Sequence, residues 1–73
     1  MATQIVMDHT GDSLFEFDPS DVGELAKAER RFKNLTRTGF TAAVRTGDGT
    51  SNKIKIFDPT AHETLFFSRL VGG

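Results

Sequence analysis

One apolar stripe of helical period, set between segments that alternate every second residue, constrains this chain more than any other feature. Val22, Leu25, Ala28, Phe32 and Leu35 recur at three- and four-residue intervals, which puts them on one side of an amphipathic helix. The other side carries Lys27, Arg30, Lys33 and Asn34. Asp18-Pro19-Ser20-Asp21 precedes the stripe and breaks any strand before it. Asp21 with Glu24 has capping-box spacing, and Ser20 is the competing N-cap. Gly39 stands at the helix stop, with Arg37 where positive charge favours the C-terminal dipole.

The flanking segments read as strands. Thr3 to His9 and Ser13 to Phe17 alternate around Thr10-Gly11-Asp12, the pattern of a hairpin with a Gly-containing turn. Phe40, Ala42 and Val44 alternate after the helix, then Thr46 to Asn52 forms a loop. Ile54 and Ile56 alternate with Lys53 and Lys55 until Asp58-Pro59, and Thr64 to Ser68 makes a last strand. The order is β-β-α-β-β-β. One helix covers only one face of such a sheet, so the expected architecture is α+β, a helix packed across a single mixed sheet. The expected inward set is Ile5, Met7, Phe15, Phe17, Phe40, Val44, Ile54, Ile56, Leu65 and Phe67. Val6, Leu14, Phe57 and Phe66 fall opposite it and form a candidate partner-docking patch on the open sheet face.

The chain's 73 residues suit one domain with a small core. Seven Phe and two Pro argue for folding rather than disorder, and the absence of Cys removes disulfides and thiol chemistry. Nine basic and ten acidic residues nearly cancel, unlike the cationic balance of nucleic-acid binders. No apolar run reaches membrane-span length, and no signal-peptide pattern opens the chain. These features lead us to expect a cytoplasmic monomer without nucleic-acid or membrane partners.

Several segments resemble ubiquitin-like proteins. Thr10-Gly11-Asp12, the Phe15-Glu16-Phe17 strand and Pro19-Ser20-Asp21 opening a helix are similar to that family's first hairpin and helix entry. Glu63-Thr64-Leu65 and Arg69-Leu70-Val71-Gly72-Gly73 are similar to its last strand and tail. The stretch from Thr38 to His62 is placed by alternation alone. The resemblance implies a β-grasp fold, with a domain over 1–69 and a flexible tail over 70–73. It also implies a function: a protein modifier or carrier rather than an enzyme. A partner activating enzyme would use ATP to adenylate the Gly73 carboxylate, with no cofactor on this chain. The acyl group would then pass to a target lysine as an isopeptide bond, or to sulfide as a thiocarboxylate. Gly72 and Gly73 suit this chemistry because no Cβ crowds the carbonyl or restricts the backbone in a narrow cleft. Arg69, Leu70 and Val71 are the expected tail contacts. The apolar Leu70-Val71 pair is similar to the sulfur-carrier branch, while the first hairpin is similar to the ubiquitin branch. In a modifier, Lys27, Lys33, Lys53 and Lys55 are equivalent candidates for chain formation.

The alternative is a small non-catalytic interaction module, such as a bacterial or phage structural or regulatory protein, acting through the open sheet face. Other constellations carry less. His9 and His62, with Asp8, Asp12 or Asp58, lack any metal-ligand spacing. The Thr46–Asn52 loop lacks the lysine of a phosphate loop. Arg30, Arg31, Lys33 and Arg37 read as a solvated helix face. The repeated Phe-Asp-Pro at Phe17 and Phe57 reads as turn chemistry.

Overall fold

The computed structural model describes residues 1–8 and 11–68. Its elements are β1 (Ala2–Asp8), β2 (Gly11–Phe17), α1 (Val22–Arg37), β3 (Phe40–Arg45), β4 (Ser51–Ile54) and β5 (Glu63–Ser68). The strands form one five-stranded mixed sheet in the order β2-β1-β5-β3-β4. β1 and β5 run parallel in its middle, and the other neighbours are antiparallel. The α+β architecture, with one helix packed on a mixed sheet, is as expected.

The helix begins where its capping chemistry requires. Asp21 Oδ1 accepts the Gly23 and Glu24 amides at 2.9 and 3.2 Å, satisfying two of the donors a helix start leaves unpaired. Glu24 does not complete a capping box on Asp21. Its Oε1 reaches further back and accepts the Asp18 amide at 2.8 Å, tying the end of β2 to the helix. At the other end, Thr38 caps the last turn through its amide to the Asn34 and Leu35 carbonyls at 3.1 and 3.2 Å. Gly39 follows at φ 109°, a conformation that a side chain strongly disfavours.

Residues directly opposite in a ladder share a sheet face. The registers put Phe17, Ala2, Gln4, Phe15, Thr64, Val6, Phe66, Ala42 and Ile54 on one face. The helix packs there. Phe32 meets Val6, Ala42 and Phe66 in one core cluster, and Ala28 meets Ala2 and Phe17 in a second. Phe57 joins the two. Its ring lies 5.8 Å from Phe32 and 6.4 Å from Phe17, and Phe32 makes an edge contact with Phe66 at 5.6 Å, all within the range of favourable aromatic pairing.

This core corrects the expected facing of two strands. Val6 and Phe66, expected on the open face, are core residues at 8% and 0% exposure. Ile5, Met7, Leu65 and Phe67, expected inward, lie on the face away from the helix. Apolar residues occupy both phases of β1 and β5, so alternation alone leaves the phase undetermined. In the observed phase Gln4 of β1 reaches the Ala28 carbonyl with its side chain, and Ala2 packs with Ala28 and Phe17. Phe57, also expected in the open patch, packs on the helix side. β4 ends at Ile54, and the chain bends over Lys55 and Ile56. The bend leaves Ile56 81% exposed and turns the larger Phe57 inward in its place. The remaining inward expectations, Phe15, Phe17, Phe40, Val44 and Ile54, fall on the helix side, though only Phe17 is fully buried.

Smaller differences concern connections. Gly11 and Asp12 pair with Asp8 and Met7, so they belong to β2 rather than to the turn, and positions 9 and 10 lie outside the described residues. Val22 opens the helix 83% exposed, and burial of the stripe starts at Leu25.

Candidate functional site

The face away from the helix is built in rows. Leu14, Ile5, Leu65, Ala43 and Lys53 stand side by side across all five strands. Asp12, Met7, Phe67 and Thr41 make the next row. Glu16, Thr3 and Glu63 continue on the other side, where Arg45 Nη1 reaches Glu63 Oε1 at 3.4 Å. Leu65 and Ala43, in the middle, are 7% and 3% exposed. Ile5, Met7 and Phe67 around them are half-buried, and Leu14 at the β2 edge is 69% exposed. Of the expected docking residues, only Leu14 lies here. The signal that sequence reasoning missed is β5 itself: Leu65 and Phe67 alternate with Thr64 and Phe66, and only the register decides which pair is outside.

The charges on this face are sorted. The β2 edge presents Asp12 and Glu16 and the β4 edge presents Lys53 on this face, while Lys55 lies in the bend beyond the strand; all four are exposed. Two ion pairs occur among the described residues, Glu29–Lys33 at 3.7 Å and Arg45–Glu63. Neither engages those four side chains.

Arg69, Leu70, Val71, Gly72 and Gly73 lie outside the described residues, as does His9. They follow β5, whose last ladder pair is Phe40 with Ser68. His62 is exposed, and its carbonyl accepts the Thr3 amide at 2.9 Å. On the helix, Arg31 is committed. Its Nε donates to Gln4 Oε1 at 3.4 Å, and its guanidinium sits 4.6 Å from the Phe15 ring centre, a cation–π arrangement. A shallow cleft of about 260 Å³ lies between the helix end and the β3–β4 edge, lined by Thr36, Phe40, Ala42, Ile54, Lys53 and Lys55 among others.

The two Phe-Asp-Pro segments form the same turn. Asp18 Oδ1 accepts the Ser20 amide and hydroxyl at 3.0 and 2.6 Å, and Asp58 Oδ1 accepts those of Thr60 at 2.9 and 2.6 Å. The hydroxyl bond is the main reason both carboxyl groups sit below their ordinary range. In the β3–β4 loop, Asp48 Oδ1 accepts the Thr46 and Thr50 hydroxyls and the Thr50 amide. These bonds, led by Thr46, lower its pKa to about 2. All three carboxylates hold their own turns closed, which accounts for them without a ligand.

No protein-family model, curated protein or solved structure matches this chain. No helix among the described residues is long and apolar enough to cross a membrane.

Proposed function

We propose that the chain is a β-grasp domain of the ubiquitin-like kind that serves as a protein modifier or carrier activated at Gly73. The observation that supports this most is the position of β5. It is the central strand, paired with β1 on one side and β3 on the other, and it is the element that leads into Arg69-Leu70-Val71-Gly72-Gly73. A strand held by ladders on both sides is a rigid base for a reactive stem. The five-stranded mixed sheet with one helix across it is compatible with a β-grasp. In this reading a partner activating enzyme joins the Gly73 carboxylate to AMP, releasing pyrophosphate from ATP. A lysine amine then displaces AMP to form an amide, or sulfide displaces it to form a thiocarboxylate. The chain supplies the stem and the docking scaffold, and its partners supply the catalytic groups.

The test is to express a tagged chain ending at Gly73 in its own host, purify it under denaturing conditions, and weigh the products. Adducts on other proteins indicate a modifier, and replacement of one oxygen by sulfur indicates a carrier. Both must vanish when Gly72 and Gly73 are deleted. Recovery of only the unchanged chain, with no effect of the deletion, overturns the reading.

A second reading rests on the open face: a non-catalytic interaction module, in which Ile5, Met7, Leu14 and Phe67 dock a partner and the stem is idle. Phe67→Asp then abolishes partner capture, while removal of the two glycines leaves it intact.

A further inference from the structure

We propose that the open sheet face pairs with the same face of a second copy, about a two-fold axis parallel to the strands. The inference rests on the face alone and does not require the Gly72-Gly73 stem.

Two observations choose this partner. The centre of the face is apolar, with Ile5, Met7, Leu65 and Phe67 on β1 and β5. The flanks carry opposite charge, with Asp12 and Glu16 on one edge and Lys53 on the other, where Lys55 follows in the bend past the strand, all exposed and outside the ion pairs described. A two-fold axis along the strands lays β5 over β5, β1 over β3, and β2 over β4. Each acidic edge then covers a basic edge, twice per dimer. Phe67 meets its own counterpart near the axis, beside the buried Leu65, and Leu14 lies against the methylene stem of Lys53. Glu63 also approaches its counterpart, but each copy's Arg45 already pairs with it at 3.4 Å. The other face-to-face two-fold axis runs across the strands. It sets β2 on β2 and β4 on β4, placing like charges opposite each other, which is unfavourable. Charge thus selects one orientation of one symmetric pair.

The size of the face sets the strength. Five strands about 4.8 Å apart and about 17 Å of strand offer roughly 400 Å² per copy. Two copies together bury about 800 Å², less than a stable specific interface and in the range of weak, transient encounters. The dimer is therefore weak and concentration-dependent, visible at roughly 0.1–1 mM.

Sedimentation equilibrium over a dilution series tests this. The unsubstituted chain is expected to shift from monomer to dimer as concentration rises. Asp12→Lys with Glu16→Lys makes both edges basic, and Lys53→Glu with Lys55→Glu makes both acidic. Each double variant alone is expected to dimerise roughly tenfold more weakly or worse, while an equimolar mixture of the two recovers association as a heterodimer. A chain that stays monomeric at the top of the series overturns the proposal. So does a dimer indifferent to both reversals, or a mixture that fails to associate while circular dichroism shows both variants folded. If a variant does not fold, the unsubstituted chain decides: a dimer that weakens in high salt supports the proposal, and one that does not overturns it. None of these outcomes bears on adduct formation at Gly73, so the two readings fail separately.

Discussion

Gln4 Nε2 donates to the Ala28 carbonyl at 3.0 Å, both residues having no exposed surface, so a buried amide on β1 ties the sheet to the middle of the helix. Gln4 Oε1 accepts from Arg31 one turn further on, at 3.4 Å. A polar side chain is tolerated in this core because both ends of its amide are engaged.

Replacing Gln4 with Ala leaves a cavity and removes both bonds. The expected loss is about 2–4 kcal/mol, read as a lower urea midpoint. Gln4→Met retains most of the volume and is expected to cost less.

Phe66 and Phe67 are neighbours on opposite faces, and truncating them separates core from surface. Phe66→Ala removes a ring in edge contact with Phe32 and is expected to cost about 3–5 kcal/mol, enough to unfold much of a domain this small at 25 °C. Phe67→Ala is expected to cost clearly less. Paired denaturation curves of the two variants check the facing of β5.

The helix start has a measurable contribution. Asp21→Ala frees the Gly23 and Glu24 amides and is expected to lower stability by about 1 kcal/mol, while Asp21→Ser retains most of it. Thermal unfolding of the three chains gives the order.

Acid sensitivity follows from Asp48. Its folded pKa of about 2 lies below the ordinary 3.8. Its contribution to stability is therefore complete above 3.8 and disappears as pH falls through about 2. Asp18 and Asp58 shift in the same direction. Asp48→Asn is expected to flatten the stability curve between pH 4 and 2, roughly the window between those two values. Urea titrations at stepped pH measure the slope.

Local chemistry settled much of this protein before any fold was known. The stripe ending in Phe32 and Leu35, the Asp21 cap and the Gly39 stop each depend on a few adjacent residues, so the helix and its limits were readable. The same holds for the alternation of β2 and β3 and for the α+β order of elements. The facing of β1 and β5 was not readable. Val6 and Phe66 compete with Ile5, Met7, Leu65 and Phe67 for the core, and along the chain the second set is the more apolar because Gln4 and Thr64 share the phase of the first. The helix decided the matter, because only in one phase does Gln4 find its acceptor at Ala28 while Val6 and Phe66 pack with Phe32. The same tertiary choice created the open face. Asp12 and Glu16 are far from Lys53 along the chain, and only the strand order brings them to opposite edges of one surface.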